Sequence, residues 1–165
     1  MFGKVRYNKI MKKILLLSIL ALSLGACTSP MPAGGGFKLP NINGTTFDSA
    51  VDAKNQPVFI AFMATYCGYC KMSVPQVVEV QKTYGPKGLK VIGIFANDTK
   101  DEPAEYAKTY GVTYDVLYNG SDVAQQFDVN GVPHFVLLDK NHNIVKTWSG
   151  YSPVHNFAAE INKVL

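Results

Sequence analysis

Cysteine is scarce. The 165-residue chain has three, and two of them, Cys67 and Cys70, stand two residues apart. A domain stapled by disulfides carries a larger, even set, so cross-linking is not how this chain holds its bulk together. Histidine is as thin: His134, His142 and His155 are scattered. The cysteine pair therefore lacks the second Cys or His pair that a zinc site takes at motif spacing, which sets redox chemistry ahead of metal binding. No internal repeat or second domain is visible. Acidic residues are missing from residues 1–26, where Lys4, Arg6, Lys9, Lys12 and Lys13 stand. Those five carry the excess of positive charge. Beyond residue 26 the chain has eleven basic residues against twelve acidic, a net charge of −1, so the pI of 8.9 belongs to the leader. No basic surface of the kind that binds nucleic acid is left. Long apolar runs are missing too. Residues 14–26 are broken by Ser18, Ser23 and Gly25 and are too short to span a bilayer comfortably.

That short run has the length of a signal-peptide core. It ends in Leu24-Gly25-Ala26-Cys27, which resembles the lipobox of bacterial lipoproteins. The resemblance makes residues 1–26 a lipoprotein signal peptide and Cys27 the lipidated mature N-terminus. The alternatives are ordinary cleavage leaving a free Cys27, or an uncleaved anchor. Residues 1–10 are either a long basic region or lie upstream of a start at Met11. Residues 27–36, rich in Ser, Pro and Gly, read as a flexible tether. Residues 37–165 then form one domain, long enough to bury a real core.

The domain is organised around Tyr66-Cys67-Gly68-Tyr69-Cys70, which follows the apolar run 58–63. Val74, Val77, Val78 and Gln81 continue at helical spacing, so the order is strand, sharp turn, helix. Cys67 falls at the helix N-terminus, where free N–H groups and the helix dipole favour an anion, and a thiolate is one. Cys70 lies one turn on, on the same face. A zinc half-site or a plain structural disulfide are the competing readings of the pair.

Elsewhere the pattern predicts short strands over 37–39 and 45–47 around the hairpin turn Asn43-Gly44. Buried strands are predicted over 58–63, 89–96 and 135–138, with a short strand at 116–118. Ile144 begins an antiparallel partner running to Ser149. Helices are predicted over 67–84, 103–110 with Gly111 as its cap, 122–127 opened by Ser or Asp, and 154–164. Alternating strands and helices with a terminal hairpin make an α/β chain, a mixed central sheet with helices on both faces.

Residues 63–75, Met-Ala-Thr-Tyr-Cys-Gly-Tyr-Cys-Lys-Met-Ser-Val-Pro, resemble the active-site strand and helix of the thioredoxins, Pro75 matching the proline that kinks that helix. Gly131-Val132-Pro133 resembles the family's cis-proline loop. The stretch from 91 to 127 looks like the central insertion of TlpA/ResA-like, membrane-anchored thioredoxins. The resemblance runs from about 37 to 165. Several tuning residues depart from it. Tyr66 replaces the usual Trp, Ala61 replaces a buried Asp, and Ser73 stands where ResA-like reductases often carry Glu. Val132 before the proline is as in some periplasmic oxidases, and Gly68-Tyr69 is similar to the dipeptide of the periplasmic isomerase. Without the two carboxylates, water or another group must move the Cys70 proton.

The resemblance implies a thioredoxin-like fold with an N-terminal hairpin and a central TlpA-type insertion. It implies a thiol–disulfide oxidoreductase of the cell envelope, periplasm-facing and anchored by lipid. Cys67 would attack, Cys70 would resolve, and cis-Pro133 would face both sulfurs. Disulfides of exported proteins are the expected substrates, apocytochrome c among them, with a membrane electron carrier as recharging partner. The expected protein is a monomer, binds no nucleic acid, and needs no metal or organic cofactor because the cysteines are the redox group. The competing functions are an envelope thiol oxidase or isomerase, a Sco-like copper-handling protein, and a non-catalytic lipoprotein. A peroxidase is weaker, since Ala64 stands where peroxiredoxins carry Thr or Ser. Tyr66, Tyr69, Val132 and His134 are candidates for substrate docking; for the two tyrosines plain exposure is the alternative. His134 either lies near the sulfurs, where an imidazolium would stabilise a thiolate, or is a surface loop residue. Glu79 reads as a solvated helix residue and Trp148 as packing or edge cover.

Overall fold

Six apolar residues in a row, Val58–Met63, are buried along their whole length and form the middle strand of the sheet. The computed structural model describes residues 35–153 and 155–165. The leader, Cys27 and most of the tether lie outside the described residues. The elements are β1 (Lys38–Pro40), β2 (Thr46–Asp48), α1 (Ser49–Asp52), β3 (Val58–Met63), α2 (Gly68–Tyr84), β4 (Lys90–Phe95), α3 (Asp101–Tyr110), β5 (Asp115–Leu117), α4 (Ser121–Gln126), β6 (His134–Leu138), β7 (Ile144–Ser149) and α5 (Phe157–Val164). The main sheet has the order β5-β4-β3-β6-β7. β3, β4 and β5 run parallel, while β6 is antiparallel to β3 and β7 antiparallel to β6.

Strand alternation sorts the core into two layers. Phe59, Ala61, Met63, Phe95, Phe135 and Leu137 face α2, α3 and α5. Ile60, Phe62, Ile92, Ile94, Val136 and Leu138 face the β1–β2 hairpin and α4. Helices thus cover both faces of a mixed sheet, the thioredoxin-like arrangement that the sequence implies. Trp148 packs edge-on to Phe157 with ring centroids 5.0 Å apart, so it is a packing residue on the last strand. Glu79 is exposed and accepts the Thr83 hydroxyl at 2.8 Å.

The hairpin does more than pair with itself. The Ile42 N–H donates to the Val116 carbonyl at 3.0 Å and the Tyr118 N–H to Pro40 at 3.1 Å. Asn41 bridges to Leu117, and its amide donates to Asp115 at 2.9 Å. The hairpin therefore covers the outer edge of β5, which satisfies backbone groups that would otherwise lie open.

Two local predictions need correction, and one element is additional. The last helix starts at Phe157, because the Asn156 side chain accepts from the Ala159 N–H and caps it there. Neither Ser121 nor Asp122 caps α4. Its cap position is Gly120, and the Ser121 hydroxyl donates to the Ala96 carbonyl at 2.7 Å instead. The four-residue α1, capped by Asp48, was not predicted; it is too short to show a period.

Candidate active site

β3 delivers the chain to the turn that carries the cysteines. The backbone N–H of Cys67 donates to the Ala64 carbonyl at 3.1 Å, which closes that turn, and α2 begins at Gly68. Cys67 is the N-cap. Its sulfur accepts the Cys70 N–H at 3.1 Å and so occupies the place a Ser or Asp oxygen takes in other helices. The first turn of α2 holds no acidic residue, which leaves the sulfur as the group that meets the positive end of the helix dipole. Pro75 sits inside α2, which continues through it to Tyr84.

The two thiols are placed unequally. Cys67 is half-buried and Cys70 has no exposure. Both are free thiols. Burial pushes the Cys70 thiol far up from the ordinary cysteine value; the hydrogen bond with Cys67 adds to this, as does the charge of Asp98, while the Ala64 backbone opposes it. The inner sulfur is thereby held protonated at neutral pH.

Val132–Pro133 is a cis peptide. Its loop lies against the outer sulfur, with Cys67 Sγ 3.6 Å from the Val132 carbonyl oxygen. The Pro133 carbonyl is occupied by the Gly150 N–H at 2.8 Å, which ties the loop to the end of β7. Tyr66 and Tyr69 stand around the thiols at 73 % and 65 % exposure, and Tyr69 stacks on Tyr151 at 6.4 Å. A cleft of about 560 Å³ opens beside them, lined among others by Tyr66, Asn97, Ser121, Asp128, Asn130 and Val132.

His134 fits neither sequence reading. It is 9 % exposed and is the first residue of β6, not a surface loop residue. Its ring lies edge-on to Phe62, in the layer opposite Cys70, and Nδ1 is 3.1 Å from the Ser149 hydroxyl. Burial lowers its pKa. A neutral imidazole on the far side of the sheet does not supply the imidazolium that the sequence raised as one alternative.

Two features escaped the sequence. One is a buried carboxylate, Asp98, in the loop after β4, at 5 % exposure. It accepts the Thr65 N–H at 3.1 Å and the Thr65 hydroxyl at 2.6 Å, two residues before Cys67. The other is a pair of phenols in the same core layer as Cys70. The Tyr114 hydroxyl points at the Met63 sulfur, 3.9 Å away, and the buried Tyr106 hydroxyl has no hydrogen-bond partner among the described residues. Ser73, at the position of the absent Glu, turns its hydroxyl to the Tyr69 carbonyl at 2.9 Å. The only sequence signal for Asp98 is an acid just past a buried parallel strand, where such sheets place their sites.

A thioredoxin-like sheet that presents a CxxC pair at a helix N-terminus, against a cis-proline loop, defines the class of thiol–disulfide oxidoreductases. Residues 4–147 match the AhpC/TSA family, and the chain belongs to that family. Among its relatives is the thiol-disulfide oxidoreductase ResA of Bacillus subtilis (strain 168), 26 % identical over 125 residues that cover 73 % of this chain and 69 % of that protein. A ResA of Bacillus cereus is 22 % identical over 172 residues, covering 97 % of this chain and 99 % of its own. Among solved structures, a thioredoxin-family thiol:disulfide interchange protein from Chlorobium tepidum TLS superposes with a TM-score of 0.71. It is 26 % identical, over 82 % of this chain and 96 % of that one.

Proposed function

We propose that this protein reduces disulfides of exported proteins, working in the cell envelope from a lipid anchor on Cys27. The observation that carries the reading is the inequality of the two thiols. Cys67 is reachable and caps a helix; Cys70 is sealed one turn below it. The outer thiolate attacks a substrate disulfide and forms a mixed disulfide. The inner thiol then attacks Cys67, closing the pair and releasing the reduced substrate. The cysteine pair is itself the redox group, with no metal or organic cofactor, and a membrane electron carrier reopens it. Apocytochrome c is a fitting substrate among envelope proteins. Tyr66, Tyr69 and Val132 form the docking rim.

The reduction potential of the Cys67–Cys70 pair tests the direction. A reductase is expected near the thioredoxin value of about −270 mV or below; a value near −120 mV, that of a strong oxidant, would overturn the reading in favour of an oxidase.

A further inference from the structure

The resolving step requires a base, because the thiol that must attack is the one most deeply buried. The strand and helix that carry the motif offer none. Ala61 has no polar group, and the Ser73 hydroxyl is spent on the Tyr69 carbonyl. We infer that Asp98, brought to the motif by β4, is the base that takes the Cys70 proton when the pair closes.

Its placement is unusual for a structural residue. A carboxylate at 5 % exposure is costly without a counter-ion. Among the described residues the ion pairs are Lys38–Asp48, Lys90–Asp115 and Lys163–Glu160, and none involves Asp98. The loop that holds it is fixed from beneath: the Asn119 N–H donates to the Asp98 carbonyl at 3.4 Å, the Gly120 N–H to Phe95 at 3.1 Å, and the Ser121 hydroxyl to Ala96 at 2.7 Å. From there the carboxylate grips Thr65 twice. Ala64, the residue next to Thr65, hydrogen-bonds through its backbone to Cys70, so the acid and the inner sulfur meet the same two-residue turn. In this proposal one bridging water carries the proton between them.

The other groups facing Cys70 are poor bases. From α3 comes Tyr106 and from the segment before β5 comes Tyr114; burial raises both phenols, which stay neutral. Lys71 of α2 is turned to the Tyr110 ring, 5.9 Å away. From β6, His134 lies in the other layer. Cys67 is consumed in the mixed disulfide.

In the step itself the S–H bond of Cys70 breaks and its proton goes to Asp98. The freed electron pair on sulfur forms the bond to Cys67 Sγ. The bond between Cys67 and the substrate sulfur breaks, and its pair leaves on the substrate as a thiolate, which is then protonated by solvent. The cysteine pair loses two electrons and the substrate disulfide gains them.

This inference rests on the proposed exchange reaction, and the two can fail separately. The full-length reduced protein is mixed rapidly with a peptide carrying a mixed disulfide to glutathione, and acid-quenched samples are resolved by mass. The first step, attachment to Cys67, tests the exchange reading; its absence in the wild type overturns that reading and this one with it. The second step, closure of Cys67–Cys70, tests Asp98. Asp98→Asn keeps groups able to bond Thr65, so it should leave the first step within about twofold and slow closure at least about tenfold at neutral pH. Asp98→Glu should recover part of the closure rate. Unchanged closure in a folded Asp98→Asn protein would overturn the proposal, and so would an equal fall in both steps, the mark of a mere brace. Should Asp98→Asn not fold, Asp98→Ser, whose hydroxyl can still bond Thr65, takes its place, and closure within about twofold of the wild type in that variant would refute the role.

Discussion

Cys70 lies under the first turn of α2 without solvent contact, while Cys67 caps the same turn and touches the cis-proline loop. Cys70→Ser should therefore accumulate mixed disulfides on Cys67, seen on non-reducing gels and lost on reduction, whereas Cys67→Ser should trap far less. Equal trapping by both variants would contradict the division of roles. His134 supports a prediction of pH dependence. Burial lowers its pKa, so the unfolded chain binds a proton more readily. The stability it contributes is full above the unfolded value of about 6.5 and is lost as pH falls through the lower folded value. His134→Phe should flatten the loss of melting temperature between about pH 7 and 5; an unchanged slope would show that the residue does not titrate this way. The cysteines and Pro133 were legible because a spacing of a few residues carries their chemistry. Asp98 was not, because it meets Thr65 from 33 positions away, through the parallel pairing of β4 with β3. His134 was misread because the residue after a proline looks like loop, although β6 begins on it.

Two glycines separate the kinds of constraint that act on elements. Gly111 ends α3 in the left-handed region, with φ at 66° and open space around a notional Cβ. Gly111→Ala should cost only the backbone penalty, about 1–2 kcal/mol. Gly120 has an ordinary backbone, but a Cβ there would run into the Ile94 side chain under α4. Gly120→Ala should cost about 1–3 kcal/mol through overpacking, and a compensating Ile94→Val should return part of it. Urea unfolding measures both; a Gly120 loss unmoved by the second substitution would count against the steric cause. Gly111 could be placed as a cap from the sequence, since a helical stretch and its stop are adjacent. The crowding at Gly120 could not, because it depends on which strand passes beneath. The same holds for Ser121, whose hydroxyl left the capping role for a carbonyl at the end of a strand 25 residues earlier.

The described chain supplies its own core down to its first residues. Phe37 stacks on Phe47 at 6.0 Å and Leu39 is buried with it. Removing residues 1–34 should leave thiol exchange and unfolding midpoint unchanged. A cut extended through Leu39 should lose about 1.5–3 kcal/mol for each large side chain taken away. Equal stability of the two truncations would show that the hairpin adds nothing. A clickable fatty acid should label the full chain and not Cys27→Ser; equal labelling would remove the anchor from the proposal. The sequence indicated a mixed sheet and its two covered faces through the alternation of strands with helices and the terminal hairpin. It did not indicate that the hairpin turns onto β5, because that contact joins backbone groups, which leave no residue pattern. That contact has a consequence for crowding. With β5 sealed by Pro40, Asn41 and Ile42, β7 is the remaining edge of the main sheet among the described residues. A sheet with two open edges can grow into a filament by adding copies at either side. One with a single open edge can join at most one other copy there, and growth stops at the pair.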